Sequence, residues 1–245
     1  MSYDIITNPD AVKISLSQLH LSTNNQEKLE QLIDEFSYLS LLRKYDLSVT
    51  NKVLFHGASG CGKTATAKAI AKRLHKKIIT LDLSEFISSK LGETSKNISL
   101  SFKKAARENA VLFIDEFDSL GKLRDYDTKD SGEMKRVVNT LLQLIDHIPS
   151  NILLICATNF MKVIDQALLR RFEIKLSFEL PTSHELDIYY DELLSRFPKN
   201  LQDIERTYHI SYAEAKDIAE NQVKKEIIFK EKSKEKIHEN KLAYN

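Results

Sequence analysis

The clearest regularity along the chain is a series of five short apolar runs, rich in Ile, Val, Leu and Phe, at 53–55, 78–83, 111–114, 152–157 and 174–178. Each has the length of a buried strand and is too short for a buried helix. Between them, at 64–75, 94–109 and 133–148, apolar residues recur at three- and four-residue spacing, the period of a helix with one buried face. Strands alternating with helices predict a parallel sheet covered on both faces, with ligands at the carboxyl ends of its strands. Upstream, Leu29, Leu32, Ile33, Phe36, Leu39 and Leu42 predict one helix over 24–44, with Ser22 and Thr23 suited to cap its start. The first twenty or so residues read as an irregular arm. Pro181 ends the alternation, and 183–196 and 211–230 read as helices with no clear strand after them. From Lys224 onward Lys and Glu interleave, as in a solvated helix that frays. Three parts follow: arm and helix over 1–50, an α/β domain over 51–180, and a small helical domain with a charged tail over 181–245.

With 245 residues the chain can bury one substantial core and a small satellite. Its 36 Lys and Arg balance 35 Asp and Glu, which argues against a protein that coats nucleic acid through bulk charge. No apolar run approaches the roughly 20 residues needed to cross a bilayer, and the opening MSYDIITNPD lacks the apolar core of a signal peptide. A cytoplasmic protein with no membrane partner is expected. Cys61 and Cys156 lack the spacing of a zinc or redox pair and read as reduced thiols. No internal repeat points to a solenoid. Glycine is scarce, yet Gly57, Gly60 and Gly62 crowd into six positions, so something must approach the backbone there.

That crowding is part of GASGCGKT, 57–64, which follows the first strand and opens a helix, and fits G-x-x-x-x-G-K-[ST] at every fixed position. Such a turn curls backbone N–H groups around a phosphate while the helix terminus adds a positive dipole end. The cradle comprises Gly57, Ala58, Ser59, Gly60, Cys61, Gly62, Lys63, Thr64 and Ala65. Lys63 would neutralise the outer phosphates, and the Thr64 hydroxyl would face magnesium.

The third run reads VLFIDEFD, four apolar residues leading into Asp115 and Glu116. Two adjacent carboxylates at the end of a buried strand imply a cation nearby. Asp115 would hold the metal, and Glu116 would act as general base on an attacking water. A kinase acting on a bound acceptor can dispense with that second acid, so the pair favours hydrolysis. The fourth run ends in Thr158 and Asn159, whose amide can orient water and touch phosphate at once. Twelve residues on, Arg170 and Arg171 in LLRRFE suit a phosphate-directed arginine finger or, alternatively, an ion pair with Glu173.

Together these residues resemble an ATPase of the AAA family within the AAA+ group, from about Asn51 to Pro181 and more weakly to about Phe229. GASGCGKT is similar to its Walker A, VLFIDEFD to its Walker B, Ala157 to Asn159 to its sensor 1, and the stretch through IDQALLRRFEIKLSFELP to its second region of homology. The resemblance implies a P-loop AAA+ fold: a five-stranded parallel sheet with the sensor 1 strand between the Walker strands, then a small α-helical lid. It also implies ATP and Mg2+ as ligands, a ring, usually hexameric, and arginines acting on the neighbour's ATP. Which of Arg170 and Arg171 is the finger stays open. SSKLGETSKNIS, 88–99, resembles the first pore loop, with Lys90 and Leu91 where an aromatic is usual. The lid carries YAEA at 212–215, and no Arg follows Arg206, so no lid arginine is expected to reach phosphate. Arg136, on the polar side of its helix, reads as solvated or as reaching a neighbour, and 122–130 reads as a loop.

The expected function is magnesium-dependent ATP hydrolysis by a ring that remodels or translocates a protein substrate, helped by a separately encoded partner protein. Two alternatives remain: a DNA-handling ATPase, supported only by the Lys-rich tail, and a nucleotide-gated scaffold that hydrolyses poorly. Intact Asp115, Glu116 and Asn159 argue against the scaffold.

Overall fold

The computed structural model describes residues 4–85, 91–122 and 131–243. In chain order the elements are β1 (Asp4–Thr7), α1 (Thr23–Ser37), α2 (Leu39–Lys44), β2 (Lys52–Gly57), α3 (Lys63–Arg73), β3 (Ile78–Asp82), α4 (Leu91–Glu108) and β4 (Val111–Asp115). They continue with α5 (Ser119–Lys122), α6 (Ser131–Asp146), β5 (Leu153–Thr158), α7 (Gln166–Leu169), β6 (Ile174–Phe178), α8 (Ser183–Leu194) and α9 (Tyr212–Ala243). Lys90 and the loop after Lys122 lie outside the described residues, as do Tyr244 and Asn245.

The chain divides into two compact units. In the first, one sheet has the order β1-β3-β4-β5-β2-β6. The five strands from β3 to β6 run parallel, and β5, which ends in Thr158, lies between β2 and β4. The sheet has six strands rather than the expected five. β1 comes from the arm expected to be irregular and pairs antiparallel with β3, from Asp4 opposite Leu81 to Thr7 opposite Ile78. Its four residues, DIIT, are too few to show an alternation, and Ile5 and Ile6 remain exposed, so the sequence carries no burial signal there. Asp4 is held from the side by Lys104 of α4 at 2.9 Å. The helix expected over 24–44 is likewise two, broken at Tyr38, which caps α1 and opens α2.

The central strands are buried on both faces, as a parallel sheet under helices requires. Leu54, Leu112, Ile114, Leu154 and Cys156 meet Ile98, Phe102, Val137 and Leu141 in one core. Phe113, in the middle of β4, is fully buried. Phe113→Ala should therefore destabilise the first unit by about 3–5 kcal/mol, measured as a lowered midpoint of urea unfolding.

The second unit comprises Ala58–Cys61 and Glu179–Asn245. Its core packs Leu186, Tyr190 and Leu194 of α8 on Ala215, Ala219 and Val223 of α9, both stripes at four-residue spacing. Both helices start on reciprocal caps. Thr182 Oγ1 accepts from Glu185 N while Thr182 N donates to Glu185 Oε2, and Ser211 and Glu214 repeat the pattern. The Ser211 N–H and hydroxyl hold the Glu214 carboxyl below its ordinary range. The helix expected over 211–230 and the helical tail after it form one helix, Tyr212–Ala243.

Candidate functional site

The turn between β2 and α3 is built on two backbone demands. Gly57 has φ 129° and lies in register with Phe178 of β6, whose backbone would collide with any added Cβ. Gly62 caps α3 at φ 96°, where no neighbour crowds it; its constraint is conformational alone. Helix α3 then begins at Lys63, and Thr64 and Ala65 lie in its first turn, whose N–H groups have no carbonyl within the helix to bind. Ala58, Ser59, Gly60 and Cys61 group with the second unit, where Ala213 N donates to Gly60 O at 3.2 Å and Gly60 packs on Ser211. Cys61 is a free, buried thiol whose Sγ contacts Ser59 O at 3.6 Å.

Four predicted residues of the first unit form a connected set. Lys63, buried at the start of α3, donates from Nζ to Gly57 O at 2.8 Å and to Asn159 Oδ1 at 2.8 Å. The other end of the same amide donates to Glu116 Oε1 at 3.3 Å. One side chain therefore links the ammonium that follows β2 to the carboxylate that follows β4. Asn159 can do this because β5 lies next to both β2 and β4 and ends level with them. Thr64 Oγ1 donates to Asp115 Oδ2 at 2.9 Å. These two hard oxygen donors suit a small divalent cation that takes one carboxylate and completes its shell with phosphate oxygens and water. Among the described residues, no cluster of three or more His, Cys, Asp or Glu offers an alternative metal site.

Glu116 itself has φ 50°, a left-handed conformation that costs a non-glycine residue on the order of 1 kcal/mol or more. Its backbone turns sharply out of β4, with Glu116 N donating to Asp115 Oδ1 at 3.0 Å and Ser119 N to Glu116 O at 2.9 Å. The turn aims the two adjacent acids differently: Asp115 toward Thr64, Glu116 toward Asn159.

The two arginines, alike in sequence, differ in environment. Arg171 makes a two-pronged bond with Asp146 of α6, Nε to Oδ1 at 3.0 Å and Nη2 to Oδ2 at 3.1 Å, and donates to Ala167 O at 2.7 Å. The Arg171 guanidinium holds the Asp146 carboxyl below its ordinary range, and Asp146 raises Arg171 in turn. Arg170 is exposed and has no ion-pair partner among the described residues. Glu173 pairs with Lys52 at 2.9 Å and accepts from Asn51 N, so it binds neither arginine. Arg136 is exposed on α6, Leu91 begins α4, and Arg206 joins Asp187 and Asp191 within the second unit.

One residue of this neighbourhood carries no role in the sequence reading. Asp118 closes the VLFIDEFD motif, is fully buried, and accepts from Thr158 Oγ1 at 2.9 Å and Asn159 N at 3.2 Å. An acid where polarity ought to give way to the core was its one signal in the sequence.

The profile of the ATPase family associated with various cellular activities (AAA) matches residues 53–180. A protein of Sinorhizobium fredii named as an uncharacterized AAA family ATPase is 42% identical over 161 residues, covering 66% of this chain and 48% of its own length. Proteins named proteasome-associated ATPase from a Nocardioides species and from Salinispora arenicola are 33% and 31% identical, covering 72% and 80% of this chain and 35% and 36% of their own. The chain thus spans half or less of these relatives. The AAA domain of FIGL-1, a solved structure, shares the fold at a TM-score of 0.68 and 21% identity, covering 86% of this chain and 72% of that one. Among the described residues no helix is long and apolar enough to cross a membrane.

Proposed function

The chain belongs to the AAA family of ATPases, and from that premise we propose that it works as a magnesium-dependent ring motor that remodels or translocates a protein substrate. The observation that carries the chemistry is the bonded path from Lys63 through Asn159 to Glu116, with Thr64 and Asp115 beside it. ATP would enter the 57–65 turn with its phosphates on the N–H groups that open α3. Lys63 would exchange its bonds to Gly57 O and Asn159 for the outer phosphates. Thr64 and Asp115 would hold Mg2+, which when bound neutralises charge on the phosphate oxygens. Glu116 would take a proton from the attacking water, and Asn159, already within 3.3 Å of Glu116, would orient that water. Arg170, the exposed member of its pair, would reach the ATP of an adjoining copy, while Arg171 braces α7 against α6. The site would thus be shared between subunits through Arg170, with Arg171 holding the segment that carries it, most simply in a closed ring such as a hexamer.

The reading of a protein substrate draws on the relatives named as proteasome-associated ATPases and on an Asp-Glu pair fit for hydrolysis. A separately encoded protease is the class of partner those names suggest. Turnover should require magnesium and rise when an unfolded polypeptide is added, with no response to DNA. Stimulation by DNA that fades steeply as salt increases would replace this reading with the DNA-handling one.

A further inference from the structure

Asn159 is strapped to the turn after β4 by more than its side chain. Phe117 N donates to Ala157 O at 2.8 Å, Thr158 Oγ1 and Asn159 N both donate to Asp118 Oδ1, and Phe160 N donates to Thr158 Oγ1 at 3.0 Å. Backbone groups of 157 and 159 are thus fixed by a single turn, with Asp118 accepting two of the bonds, and Phe160 is tied in turn to the Thr158 hydroxyl that Asp118 holds. Beyond it Gly121 of α5 lies so close to Val163 that an added Cβ would strike the Val163 backbone. The segment after β4 and the segment after β5 therefore pack as one piece.

We infer that Asp118 is a positioning residue for hydrolysis: its buried carboxylate fixes the backbone of Asn159 so that the amide stands between Lys63 and Glu116. The Asn159 Nδ2 to Glu116 distance of 3.3 Å is long for a hydrogen bond, so a small displacement of the turn breaks it. A carboxylate suits the task because it only accepts, and both the Thr158 hydroxyl and the Asn159 N–H must donate to one point. Burying that carboxylate between Phe117 and Leu120, both part of the apolar core, is costly, which is hard to understand for packing alone. The inference rests on the role of Asn159 set out above.

The test is a double-mutant cycle on the full chain, reading kcat and nucleotide affinity separately. Asp118→Ala should lower kcat by about a hundredfold, the scale for an ångström of misplacement, with affinity for a fluorescent ATP analogue held within about threefold. Asn159→Ala should produce a comparable loss, and the double variant should fall no further than Asn159→Ala alone, because both act through one amide. Asp118→Asn, which keeps an acceptor oxygen, should recover most of the rate. Multiplying losses, or an unaltered kcat in Asp118→Ala, would overturn the inference while leaving the site reading intact. An unaltered kcat in Asn159→Ala would instead sink the site reading itself. Should Asp118→Ala fail to fold, Thr158→Val removes one of the two donors at constant shape and must show the same drop in kcat, again with no added loss on Asn159→Ala; a wild-type rate there overturns the inference equally.

Discussion

Glu116→Gln is expected to bind ATP as the parent does and to turn it over at least about a hundred times more slowly, the usual contribution of a general base. The amide keeps an oxygen to accept from Asn159 Nδ2, 3.3 Å away in the parent, so the geometry of the site survives while its capacity to take a proton does not. Gln and Glu also tolerate the left-handed backbone at φ 50° equally, so the melting temperature should stay where it was. Steady-state turnover, equilibrium binding of an ATP analogue and thermal unfolding together check the prediction. A variant that loses binding along with turnover would place Glu116 in ground-state recognition, and one that keeps its rate would remove it from the chemistry. Because hydrolysis is blocked with the cradle intact, the same variant should hold ATP long enough to accumulate assembled rings, visible by light scattering.

Much of this site was legible in the sequence because its logic is local. A P-loop declares itself through glycines at fixed spacing, and the two acids of β4 stand out against four buried residues before them. The central strands β4 and β5 are legible for the same reason: buried on both faces, they are written as nearly unbroken apolar runs, whereas β6 at the sheet edge alternates, IKLSF with Lys175 exposed. Strand ends were less so, since Lys52 and Thr158 belong to β2 and β5 through ladder bonds to neighbours rather than through their own hydropathy. β1 escaped notice because an antiparallel edge strand needs only backbone partners, and its exposed isoleucines carry no pattern. What the sequence could not carry were pairings across long separations. Nothing local tells that Asp118 meets Thr158 and Asn159 some forty positions on, or that Asp146 claims Arg171 and not Arg170.

That last distinction leads to the largest effect expected. Arg170→Ala should lower turnover by about 10³ to 10⁵, the range for a lost arginine finger, without weakening nucleotide binding to the subunit that carries it. Arg171→Ala should be milder and of another kind: the bonds to Asp146 and Ala167 O disappear, α7 loosens from α6, and stability falls along with rate. If the finger works on an adjoining copy, Arg170→Ala subunits have a sound cradle and no finger to lend, whereas Lys63→Ala subunits have a finger and an unusable cradle. Neither alone should turn over ATP. Mixed in equal amounts they should recover activity, since about one head-to-tail contact in four then joins a good cradle to a good finger. A mixture as inactive as its parents would mean that Arg170 acts within its own subunit or not on phosphate at all. Dilution discriminates further, because a shared site must lose specific activity as rings dissociate, while a self-sufficient one keeps it.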